Sequence, residues 1–178
     1  MSDPTQASEQ PELTVAEARQ QFLAATSTGG PVVCPCCLRK GRIYRRRLNS
    51  GMAVVLVRLH HLGAAERWVN VRELFPGVTQ RGGEWARTRF WGLVRPADER
   101  TAEENARGDW KLTERGVEFV LGQVEVSAAV FVWDNTPLRF SDETVTIHQA
   151  LGQRFDYAEL MRTGAMPDFS ASDEQETP

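Results

Sequence analysis

Residues 50–122 decide the fold and read SGMAVVLVRLHHLGAAERWVNVRELFPGVTQRGGEWARTRFWGLVRPADERTAEENARGDWKLTERGVEFVLG. The stretch begins as a helix whose apolar residues share one face, which are Met52, Val55, Leu56, Leu59 and Leu62. Six further elements are then predicted, namely a strand at 68–71, helices at 71–75 and 82–91, strands at 93–96 and 109–112 around a polar hairpin, and a closing helix at 113–122. This order predicts an α+β fold.

The size and composition of the chain indicate one globular domain with tails. It has 178 residues, of which 41% are hydrophobic and 25% charged. No run of eighteen apolar residues occurs and the N-terminus is polar and acidic, so we expect neither a membrane span nor a signal peptide. All three cysteines lie within residues 34–37, too close together to join distant segments, which predicts a reducing, intracellular location.

The net charge of -3 conceals a strong segregation of charge along the chain. Residues 34–95 carry thirteen arginine or lysine residues against three glutamates, a net charge of +10, whereas residues 96–178 have a net charge of -10. Twelve of the thirteen central cations are arginine, the residue suited to bidentate phosphate contacts. The central region could therefore meet a polyanion. The alternative is that its arginines pair with the acidic C-terminal half.

Cysteines at residues 34–37 form a candidate metal knuckle. Cys34 and Cys37 have the Cys-x-x-Cys spacing that lets two thiolates bind one zinc ion, with Cys36 as an alternative ligand. A structural zinc site has four ligands, so a histidine would have to complete the set, chosen from His60, His61 and His148. Two other interpretations stay open, a structural turn without metal and a redox Cys-x-x-Cys motif.

The sequence on either side of the polar hairpin carries a resemblance to a known family. Phe90-Trp91-Gly92-Leu93-Val94 precedes the hairpin, and Trp110-Lys111-Leu112-Thr113-Glu114-Arg115-Gly116 follows it. This text is similar to that of MarR-type winged helix-turn-helix proteins, over roughly a third of the chain. The resemblance implies a helix that enters the DNA major groove and a wing that touches the backbone. More loosely, the chain resembles uncharacterised small bacteriophage proteins.

The helix at residues 82–91 is then the one expected to meet DNA. On a wheel of about 3.6 residues per turn, Ala86 and Phe90 form its apolar side, so the opposite side would be exposed. The exposed side and its neighbours are Arg81, Trp85, Arg87, Thr88 and Arg89. A second candidate contact is the run Arg45, Arg46 and Arg47, which would meet phosphates.

The resemblance and the charge map together predict a small intracellular protein that binds double-stranded DNA, phage-encoded and regulatory, in the cytoplasm of a bacterium or an infected host cell. The wing tip at residues 98–107 opposes this function, because its four acids against two arginines would be repelled by phosphate. The alternative is a winged-helix adaptor that binds a host or replication protein without touching DNA. The C-terminal segment is expected either to pack on the core or to form a dimer surface through Phe131, Trp133 and Phe155.

The predicted organisation is a winged helix-turn-helix core with a short N-terminal helix, a Cys-rich knuckle and a small C-terminal α+β extension. The expected segments are a disordered tail at 1–13, the helix, knuckle and arginine strip at 14–48, the winged helix at 49–122, the extension at 123–164 and an acidic disordered tail at 165–178. The sequence has no glycine-rich phosphate loop and no Gly-x-Ser-x-Gly or His-Glu-x-x-His motif, so we do not expect an enzyme.

Overall fold

The structure, a computed structural model, describes residues 13–26, 31–74, 83–97 and 108–165. Over these residues the chain is a mixed α+β protein with seven helices and several small antiparallel sheets. It divides into two compact units, one within Met1–Arg45 and Val132–Thr136 and the other within Arg46–Phe131 and Pro137–Pro178. None of the described helices combines the length and apolar composition that crossing a bilayer requires. Most of the predicted tails, Arg81 and the hairpin tip at 98–107 lie outside the described residues.

The first unit begins with helix α1, Val15–Thr26. A capping box begins this helix, because the Thr14 amide donates to Glu17 Oε2 at 2.9 Å and the Glu17 amide donates to Thr14 Oγ1 at 3.3 Å. These hydrogen bonds to Thr14, the side-chain one foremost, lower the pKa of Glu17. The buried face of α1 consists of Ala18, Phe22 and Thr26, whereas Val15 at the start of the helix is exposed.

A short hairpin follows, made of β1, Val32–Val33, and β2, Lys40–Gly41. The strands pair antiparallel, with Val32 opposite Gly41. The Phe22 ring lies against Gly41, and a Cβ added at position 41 would lie 2.1 Å from Phe22 Cζ. Phe22 also packs against Trp133, with ring centroids 5.5 Å apart. Phe22 therefore packs between Gly41 and Trp133 in this unit.

Helix α2, Ser50–His61, is the centre of the second unit. Asn49 caps it by accepting a hydrogen bond from the Met52 amide at 3.0 Å. We expected one apolar stripe, but every residue from 52 to 57 is buried, and so is Leu59. A helix that is apolar on all sides is one that other elements surround. The helices Glu114–Val120, Ile147–Leu151 and Tyr157–Thr163 and the 3₁₀ helix Glu84–Trp91 pack against α2.

A three-stranded antiparallel sheet lies beside α2. Its strands are β4, Val69–Asn70, β5, Val94–Pro96, and β6, Asp109–Leu112, in the order β4-β6-β5. Helix α3, Val71–Leu74, follows β4, and a 3₁₀ helix, Glu84–Trp91, precedes β5. Helix α4, Glu114–Val120, follows β6. The predicted order of elements between residues 50 and 122 is present wherever the structure describes it.

The start of α4 is locked onto the backbone that enters β5. Thr113 caps the helix by accepting from the Gly116 amide at 3.0 Å, and its hydroxyl donates to the Gly92 carbonyl at 2.6 Å. A Cβ added to Gly116 would lie 2.0 Å from the Leu93 carbonyl oxygen. The Gly-Leu and Thr-x-x-Gly positions of the sequence are thus explained by a close contact between backbones.

The C-terminal elements form two further pairings. Strands β7, Val126–Ser127, and β10, Thr144–Val145, pair antiparallel, and β8, Ala129–Trp133, and β9, Thr136–Phe140, belong to a sheet with β3, Tyr44–Arg47, in the order β3-β8-β9. The segment 126–133 is divided into two strands at Ala128. It divides because the Ala128 amide donates to Glu143 and its carbonyl accepts from the Leu48 amide. Helices α5, Ile147–Leu151, and α6, Tyr157–Thr163, end the described chain.

Candidate nucleic-acid interface

The 3₁₀ helix Glu84–Trp91 buries the side on which we expected DNA contacts. Trp85, Thr88 and Trp91 are the buried residues, with exposures of 5%, 0% and 4%. They are three positions apart, and a 3₁₀ helix has about 3.0 residues per turn, so they stack on one face. The wheel prediction used the α-helical period and is wrong for this helix. Trp85 and Thr88 are therefore not placed to read a DNA groove.

Each of these buried side chains has a structural contact. The Trp85 ring meets the Trp110 ring edge to face, with centroids 4.8 Å apart. The Thr88 hydroxyl donates to the Trp85 carbonyl at 2.6 Å, and Trp91 Nε1 donates to the Ser127 carbonyl at 2.6 Å. The helix is therefore fixed to the sheet and to the C-terminal segment through its aromatic residues.

Two arginines remain on the half-exposed side of the same helix. Arg87 forms an ion pair with Glu84 one turn earlier. The Arg89 guanidinium lies 4.7 Å from the centroid of the Phe90 ring. Both cations are half-buried. The ion pair with Glu84 offsets the charge of Arg87, whereas a ring contact by itself does not neutralise a guanidinium.

The outer face of the β4-β6-β5 sheet carries a row of charged and aromatic side chains that the sequence analysis missed. Arg95 is paired with Lys111 across β5 and β6, and the register Val69 to Trp110 brings Trp68, just before β4, level with Lys111. The Arg95 guanidinium lies 5.0 Å and the Lys111 ammonium 5.9 Å from the Trp68 ring centroid. We call Trp68, Lys111 and Arg95 the cross-strand row.

The strand alternation explains why this row faces outward. In β6, Leu112 is buried and Trp110 contacts Trp85, so Lys111 between them points to the other side of the sheet. Arg95 is exposed, while Lys111 and Trp68 are half-exposed. Alternation within 109–112 was visible in the sequence, but the partner across the sheet depends on register, which the sequence does not state.

The arginine run lies on strand β3, Tyr44–Arg47. Arg45 and Arg47 are exposed, and Arg46 is half-buried. Alternation along a strand places Arg45 and Arg47 on one face and Arg46 on the other. The three side chains therefore do not form one patch in the way that a helical or disordered run could.

The three cysteines lie in the turn of the β1-β2 hairpin. The Cys34 amide donates to the Arg39 carbonyl at 2.8 Å, and the Leu38 amide donates to the Cys34 carbonyl at 2.9 Å. Hydrogen bonds from the backbones of Cys37 and Cys36, and then from their side chains, lower the pKa of the Cys34 thiol. Cys34 is half-buried, whereas Cys36 and Cys37 are exposed.

No described group of three or more His, Cys, Asp and Glu side chains is arranged to hold a metal ion. The rings of His60 and His61 are 6.4 Å apart and nearly perpendicular, and the His148 ring packs 4.2 Å from Tyr157. The three histidines that we considered as further ligands thus each have a ring contact within the second unit.

A cavity of 420 Å³ lies at the start of α6, and its lining includes His148, Leu151, Phe155 and Tyr157. The Tyr157 hydroxyl donates to the Val120 carbonyl at 2.9 Å, and burial raises its pKa. This hydroxyl ties α6 to the end of α4. The tyrosine is therefore explained by packing rather than by chemistry on a ligand.

No protein-family model matches the chain, and comparisons with curated proteins and with solved structures also give no match. The resemblance to MarR-type proteins thus depends on the residues around the hairpin alone. Function has to be argued from the side chains that the fold exposes and from the charges they carry.

Proposed function

We propose that residues 49–122 form a winged-helix module that binds double-stranded DNA, within a small regulatory protein of the bacteriophage type. The order helix, strand, helix, helix, strand, strand, helix supports this proposal, as does the sheet order β4-β6-β5, in which the first strand pairs with the last. The residues that resemble MarR-type proteins surround β5 and β6, the strands that would form the base of the wing.

The observation that carries the proposal is the cross-strand row. Two cations held beside an indole on an exposed sheet face form a fixed positive surface, and neither Arg95 nor Lys111 has a described carboxylate within salt-bridge distance. Phosphate contacts supply most of the affinity of proteins that bind DNA without strong sequence preference. Arg95 and Lys111 lie on the two strands that flank the acidic residues 98–107 in the sequence.

The buried face of the 3₁₀ helix limits what kind of binding we propose. Trp85 and Thr88 are packed inside, so base-edge contacts from this helix would come only from its half-exposed side, where Arg87 and Arg89 lie. Phosphate contacts position a protein on DNA, whereas base contacts specify the sequence. We therefore propose that the protein binds DNA mainly through the phosphate backbone and discriminates only weakly between DNA sequences.

The test is a salt titration of binding to a duplex oligonucleotide, followed by fluorescence anisotropy. We expect the logarithm of the binding constant to fall linearly with the logarithm of salt concentration, and the double variant Arg95→Gln with Lys111→Gln to reduce that slope by about 2, since each phosphate contact contributes about 0.9. The matched control is Arg115→Gln, an exposed cation on α4, which should leave the slope unchanged. Absent or salt-independent binding at low salt would contradict the proposal.

A second candidate function, docking of a protein partner, is favoured by strand β9. All five of its residues are exposed, including Leu138 at 40% and Phe140 at 42%, and the order β3-β8-β9 places it at a sheet edge within the described chain. Exposed edge strands are templates for pairing with another chain. Binding of a partner from nuclease-treated extract that is lost in Phe140→Ser, with DNA binding absent, would favour this function over the first.

A further inference from the structure

The turn of the β1-β2 hairpin contains all three cysteines of the chain. The Cys34 amide donates to the Arg39 carbonyl and the Leu38 amide donates to the Cys34 carbonyl, so the chain reverses between Cys34 and Arg39. The turn is completed by Leu38, which has a φ of 57° and is 77% exposed. An L-residue in this left-handed conformation costs about 1–2 kcal/mol, so some interaction should favour the turn.

The same geometry is suited to one metal in particular. Two cysteines separated by two residues can point at one tetrahedral zinc ion. The hydrogen bond from the Leu38 amide to the Cys34 carbonyl closes a tight turn over residues 34–38, and this turn contains both Cys34 and Cys37. The hairpin therefore holds two cysteines with the spacing of zinc ligands within one tight turn.

Two ligands are half of what a structural zinc site requires. No described group of three or more potential ligand side chains supplies the rest. A symmetric pair of chains solves this, because a twofold axis through the metal presents the same two thiolates from each side. The exposed apolar residues at the hairpin, Val33 at 49% and Leu38 at 77%, would then be covered by their counterparts.

We propose that Cys34 and Cys37 form half of a tetrathiolate zinc site that the same two cysteines of a second copy of this chain complete. Four thiolates around a zinc ion leave a net charge of -2, and the cations that follow the turn, Arg39 and Lys40, offset that charge in each copy. Cys36, which is exposed like Cys37, stays outside the site because its spacing from Cys34 is one residue short of the Cys-x-x-Cys pattern. This inference is independent of DNA binding, since it uses only the hairpin.

The experiment uses the full chain, purified without chelator, and measures zinc content together with mass by sedimentation velocity. We expect about one zinc ion for two chains, a dimer with zinc and a monomer after chelation. Cys34→Ser and Cys37→Ser should lose both zinc and dimer, whereas Cys36→Ser should keep both. Circular dichroism of each variant checks that the chain is folded.

Replacement of zinc by cobalt provides a second measurement that does not depend on the variants. Four thiolates around cobalt give intense tetrahedral absorption bands and a sulfur-to-metal charge-transfer band, which should saturate at the same ratio of one metal to two chains. A metal-to-chain ratio near one in a monomer, an absence of metal, or loss of metal in Cys36→Ser would overturn the proposal.

Discussion

The 3₁₀ helix Glu84–Trp91 and the cross-strand row use the same residue types for opposite purposes. In the helix, Trp85 and Trp91 are buried and its arginines are held by neighbours on the half-exposed side. In the row, Trp68 stays half-exposed on the outer face of the sheet, with Arg95 and Lys111 beside it. Composition alone would assign both regions to DNA, whereas the period of each element decides which side chains reach solvent.

The largest expected difference between the two regions is in the free energy of unfolding. Trp85→Ala removes a buried ring that contacts Trp110 and should cost about 3–5 kcal/mol. Trp68→Ala removes a half-exposed ring held by cation–π contacts, each worth about 0.5–1 kcal/mol, and should cost far less. Urea unfolding followed by circular dichroism measures both, and equal losses would mean that the row is part of the core.

A second expected effect on the free energy of unfolding concerns the close contact between α4 and Leu93, the residue before β5. Gly116→Ala would place a methyl group against the Leu93 carbonyl, and backbone cannot move away as a flexible side chain can. We expect a loss of about 1–3 kcal/mol in the free energy of unfolding. Arg115→Ala, the neighbouring exposed position in α4, serves as the control and should change stability by less than about 0.5 kcal/mol. A stable Gly116→Ala variant would show that α4 is not locked to β5.

A smaller effect tests whether Thr88 is a core residue or a DNA contact. Thr88→Val keeps the shape of the side chain but removes the hydroxyl that donates to the Trp85 carbonyl, so we expect a loss of about 1 kcal/mol in stability. Thr163→Val removes a similar hydrogen bond to Glu159 at an exposed position and should cost little. DNA affinity of the folded Thr88→Val protein should equal that of the wild type, and a selective loss of affinity would return Thr88 to the interface.

The sequence predicted the element order well because its signals are local. The Asn49 and Thr113 caps, the glycine at 116 and the apolar run of α2 each act within a few residues. The exposed face of Glu84–Trp91 was predicted wrongly because a tighter helical turn shifts every side chain around the axis, and no residue signals that choice.

The candidate site was harder to predict than the fold, for a related reason. Trp68, Lys111 and Arg95 are separated by up to 43 positions in the chain, and only the register of three short strands brings them level. The cysteine turn is the opposite case, because its candidate ligands are adjacent in sequence and the hairpin needed only to confirm the turn. The two further ligands that we propose come from a second copy of the chain, and the sequence of one chain carries no signal for that pairing.

The smallest expected effect decides between the helix and the row as the main contact with DNA. Glu84→Gln removes the carboxylate that pairs with Arg87, so an arginine that already faced DNA would gain free charge and bind more tightly. In the row-led contact proposed above, Arg87 is peripheral, and we expect affinity to change by less than about 0.5 kcal/mol, the usual worth of an exposed pair. Glu114→Gln, an exposed glutamate on α4, controls for the change in net charge. A rise in affinity and in salt dependence that is specific to Glu84→Gln would move the contact to the helix, because the salt slope counts the phosphates that cations neutralise.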